Sequence, residues 1–161
     1  MIPVEADVSD EWGGGIDWPA LARSAVHAAV AHSRHARLAD NEVSVMFASD
    51  EEVRALNAQW RGQDTATNVL SFPMAAGEEL AAAPLLGDVV LAHGVCAREA
   101  AAKGVAIETH AAHLVVHGTL HLLGYDHETS DEEAEEMEAV ERRALASIGI
   151  ADPYHVTEVQ P

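Results

Sequence analysis

Apolar residues recur along this chain with two periods, one of two residues and one near 3.6. Val4, Ala6 and Val8 alternate with Glu5 and Asp7, which is typical of a half-buried strand. In all, four strands are predicted: Pro3–Val8, Glu42–Ala48, Asn68–Pro73 and Gly87–Ala92. We expect the first strand at an edge of the sheet and the third, which a proline stops, in its centre.

The segments between and after these strands show helical periodicity and helix-start signals. Asp17 stands where an N-cap is expected, and Ser49 with Glu52 matches a capping box. Five helices are predicted: Asp17 to about His35, Ser49 to Arg61, His93 to about Lys103, Ile107–Leu123 and Ser130–Gly149. The order of elements predicts an α+β fold, a mixed sheet of about four strands packed with helices.

The same periodicity predicts which side chains the helices bury. The second helix is expected to bury Val53, Leu56 and Trp60, at i, i+3 and i+7. The last helix is expected to bury Ala134, Met137, Leu145 and Ile148. The segment from Asp131 to Glu141 carries seven carboxylates, and we interpret it as a solvated acidic face at a helix N-terminus.

The chain length favours one domain over residues 1–161, with a partly ordered tail after about residue 150. The single cysteine, Cys96, excludes an internal disulfide and is expected to be a small buried residue in a reducing compartment. No secretory signal and no apolar run of about 18 residues is visible, so we expect a cytoplasmic protein without a membrane partner.

The net charge of −18 argues against tight, nonspecific nucleic-acid binding, which depends on lysine and arginine. The charge is unevenly distributed, however. Arg34, Arg37, Arg54 and Arg61 all lie in the first half of the chain. A local basic cleft therefore remains an alternative.

The histidines of the segment His117–His127 stand at relative positions 0, 4 and 10. His117 and His121 share one helix face, and Gly124 can end the helix and return the chain so that His127 supplies a third ligand. Single histidines are usually hydrogen-bonded core or rim residues, but three in this arrangement favour a metal site. Three nitrogens with an open fourth position describe a catalytic zinc site (Zn²⁺) at the end of a helix bordering a cleft.

Two further histidines precede this segment on the same helix. His110 lies about 11 Å from His117 along the helix axis, and His113 lies close by. We expect neither to share an ion with His121. Both are interpreted as hydrogen-bonding or substrate-cleft residues.

Zinc can activate water for attack on a phosphodiester or on a peptide carbonyl. The histidine spacing equals that of the extended zinc-peptidase motif H-E-x-x-H-x-x-G-x-x-H. In this chain Gly118 replaces the glutamate that serves as general base there. The peptidase interpretation therefore lacks its base.

The histidine segment, HGTLHLLGYDH, resembles the signature of the YbeY family of bacterial rRNA-maturation endoribonucleases. Further matches follow in the family's order: Leu56-Asn57 with Trp60-Arg61, Asp64, Thr67 to Pro73, Leu86-Gly87-Asp88, and Met137-Glu138 with Glu141. The resemblance covers roughly residues 43–149.

The resemblance implies a metal-dependent, single-strand-specific endoribonuclease that matures the 3′ end of small-subunit rRNA and acts in ribosome quality control. Its metal ligands would be His117, His121 and His127, and its functionally important arginine would be Arg61. Single-stranded rRNA would be the substrate, and ribosome-associated proteins would be partners. Binding of DNA is not expected. A guanidinium beside the metal could hold the scissile phosphate. On residues alone, Arg61 would be a surface cation at a helix end.

Other roles in the site stay open at this stage. Asp88 and Asp126 are candidates for carboxylates that orient ligand histidines, with loop geometry as an equal explanation. Ser71 could line the cleft. Two other functions are weighed: a peptidase that draws its base from elsewhere, such as Glu128, and a non-catalytic ribosome-assembly factor whose metal stabilises the fold.

Overall fold

A computed structural model describes residues 2–126 and 130–154 of the 161. Within these ranges, the strands are β1 (Val4–Val8), β2 (Glu42–Ala48), β3 (Val69–Pro73) and β4 (Leu85–Ala92). The helices are α1 (Trp18–His32), α2 (Asp50–Arg61), α3 (His93–Lys103), α4 (Ile107–Leu122) and α5 (Asp131–Ser147). Each predicted element is present.

The four strands form one mixed sheet in the order β1-β2-β4-β3. β1 is parallel to β2 and β2 is parallel to β4, whereas β3 is antiparallel to β4. The predicted α+β class and the edge position of β1 are therefore confirmed.

The central position predicted for β3 is wrong, because β4 lies between β2 and β3 and leaves β3 at the other edge. Hydrophobic periodicity shows that a strand is buried, but it does not show its place in the sheet. The outer edge of β3 is protected: Pro73 has no backbone N–H, and the Ser71 carbonyl accepts a hydrogen bond from Arg61 at 3.0 Å.

The helix starts follow the capping signals of the sequence. The Asp17 side chain accepts a hydrogen bond from the Ala20 backbone N–H at 3.0 Å, and both bonds of the Ser49–Glu52 capping box are present. α3 ends at Gly104, whose φ of 70° is left-handed, before α4 begins at Ile107.

The two sheet faces bury different helices. α1 and α4 belong to the larger core, and α5 packs on both of them. α2 packs on the opposite face, where Val53 joins Ala48, Leu70, Val90 and Ala92. The sheet therefore holds α2 and α4 on opposite sides.

The stripe predicted for α2 is partly wrong. Val53 is buried and Leu56 is half-buried, but Trp60 is 65% exposed. Asn57 is buried instead, and its side chain donates a hydrogen bond to the Thr65 carbonyl at 2.9 Å. Val53 and Asn57, four residues apart, face inward, and the helix is thus rotated away from the expected stripe.

Cys96 is buried, as predicted, and burial raises the pKa of its thiol to about 12. None of the helices within residues 2–126 and 130–154 is long and apolar enough to cross a membrane.

Candidate metal centre and cleft

The histidine pair of the motif is carried by α4, whose burial makes it a rigid support. Leu114, Val115 and Leu120 are buried in the core, and the helix packs against α1, β3 and β4. One turn apart on this helix, the His117 and His121 rings have centroids 4.7 Å apart. Their Nε2 atoms are 3.1 Å apart.

The chain leaves α4 as the sequence predicted. Gly124 has a φ of 97°, in the left-handed region that favours glycine. The next residue, Tyr125, is buried; its hydroxyl accepts a hydrogen bond from the Arg34 backbone N–H at 3.0 Å, and the Arg34 guanidinium lies 3.9 Å from its ring centroid. The start of the loop is thus anchored to the end of α1. His127, the predicted third ligand, lies outside the described residues, as does Glu128.

The Glu141 carboxylate of α5 hydrogen-bonds His117 of the motif at Nδ1, the ring nitrogen other than Nε2. Glu141 is 0% exposed, and its Oε2 accepts a hydrogen bond from Nδ1 of His117 at 2.8 Å. Its Oε1 accepts from Nε2 of His113 at 2.9 Å and from the Tyr154 hydroxyl at 2.5 Å. Both oxygens of the carboxylate are therefore satisfied within the protein.

Burial of Glu141 by itself would raise the pKa of its carboxyl, but the hydrogen bonds from His113 and His117 outweigh burial and lower the pKa to about 2. An ionised Glu141 only accepts hydrogen bonds, so His117 must carry its proton on Nδ1. In neutral His117, Nε2 is therefore the unprotonated nitrogen, and it lies 3.1 Å from Nε2 of His121.

His113, His117 and Glu141 lie close enough together to hold a metal ion, with their candidate ligand atoms within 4.8 Å of one another. His113 was predicted as a hydrogen-bonding residue, and its Nε2 makes such a bond. Among the side chains of the described ranges, Nδ1 of His113 is a buried nitrogen without a hydrogen-bond partner.

Sequence reasoning missed Glu141, which was assigned to the solvated acidic face. That assignment is wrong for this residue because Glu141 is fully buried. The available signal was its spacing: Glu141 lies four residues after Met137 and four before Leu145, both buried. A carboxylate in the apolar stripe of a helix requires a partner, here His113 and His117.

A cleft of about 860 Å³ opens in front of the histidine pair. His117, His121, Arg61 and Asp126 all contribute to its walls. Of the described residues lining the cleft, Arg61 is the only arginine or lysine and Asp126 the only carboxylate. The described part of the cleft is therefore not strongly basic, and the acidic face of α5 does not line it.

Arg61 enters the cleft from the end of α2. Its side chain is exposed and donates a hydrogen bond to the Ser71 carbonyl on the edge of β3 at 3.0 Å. The Ser71 hydroxyl in turn donates to the Gly118 carbonyl at 3.0 Å. Ser71 thus lines the cleft and connects Arg61, at the end of α2, to the histidine helix α4.

The orienting role considered for Asp88 is not supported. Val89 faces α4, since a Cβ on Gly118 would lie 2.7 Å from its Cγ1. Side chains alternate along a strand, so Asp88 projects from the opposite face, where it hydrogen-bonds Ser44. The carboxylate that contacts His117 comes from α5 instead.

Comparison with known proteins identifies the family. A family model described as Endoribonuclease YbeY matches residues 14–149. An endoribonuclease YbeY from Novosphingobium aromaticivorans is 54% identical, with the match covering 96% of this chain and 97% of that protein. Another, from Rhizorhabdus wittichii, is 51% identical over 98% of this chain and 99% of that protein.

A solved structure agrees in fold. The solution structure of a Thermotoga maritima protein matches with a TM-score of 0.58 and 25% identity, covering 95% of this chain and 99% of that one. Sequence and fold agree over nearly the whole chain, and the chain belongs to the YbeY endoribonuclease family.

Proposed function

We propose that this protein is a zinc-dependent endoribonuclease that cleaves single-stranded RNA during rRNA maturation and ribosome quality control in the cytoplasm. His117, His121 and His127 are the proposed zinc ligands, and Arg61 is the proposed catalytic residue. The observation that carries the proposal is the 3.1 Å separation between the Nε2 atoms of His117 and His121 at the wall of the cleft.

That separation fits two ligands of one ion. Zinc–nitrogen bonds of about 2.0–2.1 Å in a tetrahedral site place two ligand nitrogens about 3.3 Å apart. Glu141 supports the fit, because it engages Nδ1 of His117 and orients the ring so that Nε2, the nitrogen on the His121 side, would hold the metal. His127 would complete the set from the loop that Gly124 and Tyr125 begin.

The His113, His117 and Glu141 cluster is better explained as support for this site than as a second metal cage. Its contacts of 2.8 and 2.9 Å have the length of direct N–H···O hydrogen bonds. An ion placed among these atoms would have to displace both bonds. We therefore assign Glu141 to orienting His117 and His113 to holding Glu141.

Arg61 is suited to hold the scissile phosphate. Its guanidinium offers five N–H donors in a planar fork, and one of them is engaged by the Ser71 carbonyl. That contact fixes the side chain on the cleft wall while other donors remain for phosphate oxygens. A bound zinc ion would supply Lewis acidity and activate water for phosphodiester hydrolysis.

The peptidase alternative is disfavoured by the surroundings of Gly118. A side chain at this position would point into Val89 and Ser71 on the sheet. A glutamate there would therefore clash with the sheet before it could serve as a general base. The names of the relatives also describe endoribonucleases and not peptidases.

The test is cleavage of single-stranded RNA by the purified, metal-loaded chain, with a double-stranded RNA of equal length for comparison. We expect cleavage of the single strand, loss of cleavage with chelator and recovery with zinc. His121→Ala should abolish it, while His35→Ala, which alters a histidine away from the cleft, should not. Cleavage that persists in His121→Ala would overturn the metal mechanism, and an intact single strand with wild-type protein would favour the assembly-factor alternative.

A further inference from the structure

The two most exposed large hydrophobic side chains of the described residues lie on one surface. Trp60 is 65% exposed and Met74 is 62% exposed, whereas the next are Val105 at 39% and Val8 at 36%. Trp60 and Met74 both line an open groove of about 640 Å³. The other apolar walls of this groove, which we call the apolar groove, come from Met46, Leu56, Phe72 and Val90.

The apolar groove is continuous with the cleft of the candidate metal centre. Arg61, Ser71 and Pro73 line both. Trp60 and Arg61 both line this groove, so the exposed indole and the guanidinium proposed to hold phosphate belong to one continuous surface. A polymer whose phosphate lies at Arg61 can therefore reach the apolar groove with its next unit.

The charges favour a base over a phosphate as the occupant of the groove. Asp88 lines the groove and would repel a phosphate, whereas Arg61 at its border would attract one. Burial raises the pKa of the Asp88 carboxyl, which is half-buried and can still accept a hydrogen bond from a base N–H. An indole with exposed surface is a stacking platform for unpaired bases.

Stacking also addresses how an acidic chain binds RNA. With a net charge of −18 and Arg61 as the only arginine or lysine among the described cleft residues, phosphate neutralisation contributes little. Base stacking on an aromatic side chain does not depend on released counterions. The groove supplies apolar and aromatic surface where the cleft lacks positive charge.

From these contacts we propose that the apolar groove is a base-binding subsite, in which Trp60 stacks on an unpaired nucleobase next to the phosphate held by Arg61. This subsite rests on the proposed function, because it serves the same RNA. It explains a requirement for single strands, since a paired base cannot leave its helix to stack on Trp60 without losing its partner.

Tryptophan fluorescence tests the subsite directly. Trp12 and Trp18 are 5% and 2% exposed, so Trp60 is the one tryptophan that solutes can reach. We would titrate the metal-loaded protein with a 2′-O-methyl oligoadenylate and with an equally long phosphate chain of abasic units. We expect quenching by the oligoadenylate, little quenching by the abasic chain, and no response in Trp60→Phe under tryptophan-selective excitation.

Cleavage kinetics provide the second readout. Trp60→Ala should raise KM at least about five-fold, as expected for loss of one stacked base, with a smaller effect on kcat. Trp60→Phe should recover part of the loss because it keeps a ring. Val105→Ala, which shortens an exposed apolar residue outside the groove, should behave as wild type. The ratio of KM between Trp60→Ala and wild type should stay the same as the salt concentration is raised, because stacking does not depend on released counterions.

The outcomes separate this subsite from the proposed function. If wild-type protein and Trp60→Ala cleave equally well and oligoadenylate quenches no more than the abasic chain, the subsite is refuted while the endoribonuclease proposal stands. In that case the groove would be assigned to a protein partner. If no RNA is cleaved, but the oligoadenylate quenches Trp60 fluorescence and the abasic chain does not, the base-binding groove is supported and the proposed function fails.

Discussion

The Oε2 atom of Glu141 lies 2.8 Å from Nδ1 of His117, joining a fully buried carboxylate on α5 to a cleft histidine on α4. The bond fixes which nitrogen of His117 carries a proton and therefore which nitrogen faces His121. The orientation of the histidine pair thus depends on the packing of α5 against α4 as well as on the motif itself.

Glu141→Gln should weaken metal binding about 10- to 100-fold, the usual effect of losing a carboxylate that orients a ligand histidine. The neutral amide no longer favours the Nδ1–H form of His117 as strongly. The measurement is competition for zinc or cobalt against a chelator, with thermal unfolding to confirm a folded variant. Glu135→Gln, exposed on the same helix, is the matched control. Unchanged affinity in folded Glu141→Gln would limit Glu141 to a structural role.

Arg61→Ala should lower kcat about 10²- to 10³-fold, the range for removing one group that stabilises charge in the transition state. Metal affinity should stay the same because Arg61 is not a proposed ligand. Arg61→Lys should recover only part of the activity, since it keeps the charge and loses the planar fork.

Arg54→Ala is the control for Arg61→Ala, because Arg54 is exposed on the same helix and pairs with Asp64 at 2.7 Å. Steady-state kinetics on a single-stranded RNA should show Arg54→Ala near wild type. Equal losses in both variants would indicate a general effect of α2 and would count against a specific role for Arg61.

Gly118→Ala should destabilise the protein by about 1–3 kcal/mol through overpacking. An added Cβ would lie 2.7 Å from Val89 Cγ1 and 3.0 Å from Ser71 Oγ, where α4 meets the sheet. Denaturant unfolding measures the loss. Gly14→Ala, with no atom within 4 Å of the added Cβ, should change stability little. If Gly118→Ala and Gly14→Ala had the same free energy of unfolding, α4 would be able to move away from the sheet without destabilising the protein, and the overpacking prediction would be wrong.

His110 should make stability depend on pH. Burial lowers the pKa of His110 below its ordinary 6.5, against the opposing hydrogen bond to Glu99, so on acidification the unfolded chain takes up this proton first. The contribution of neutral His110 to the free energy of unfolding is therefore complete above about pH 6.5 and falls as the pH drops below that value. The free energy of unfolding of wild type relative to His110→Gln should decrease between about pH 7.5 and about pH 5.5. A constant difference would contradict a lowered pKa.

Local sequence determined much of this protein. The capping residues Asp17 and Ser49 mark the starts of α1 and α2, and Gly124 marks the end of the histidine helix. Because residues four apart share a helix face, the spacing of His117 and His121 alone brings their rings together. These features arise within one or two turns of the backbone, so they can be predicted without knowledge of the fold.

Contacts between distant segments were decided only by the tertiary structure. Glu141 belongs to an acidic run, and its burial against His113 and His117 follows from how α5 rotates onto α4. The exposure of Trp60 and the edge position of β3 likewise depend on which surfaces meet. Periodicity identifies apolar faces, whereas the partner of each face is selected by packing of the whole chain. That packing buried the Glu141 carboxylate against the histidines and left the Trp60 indole exposed beside the cleft.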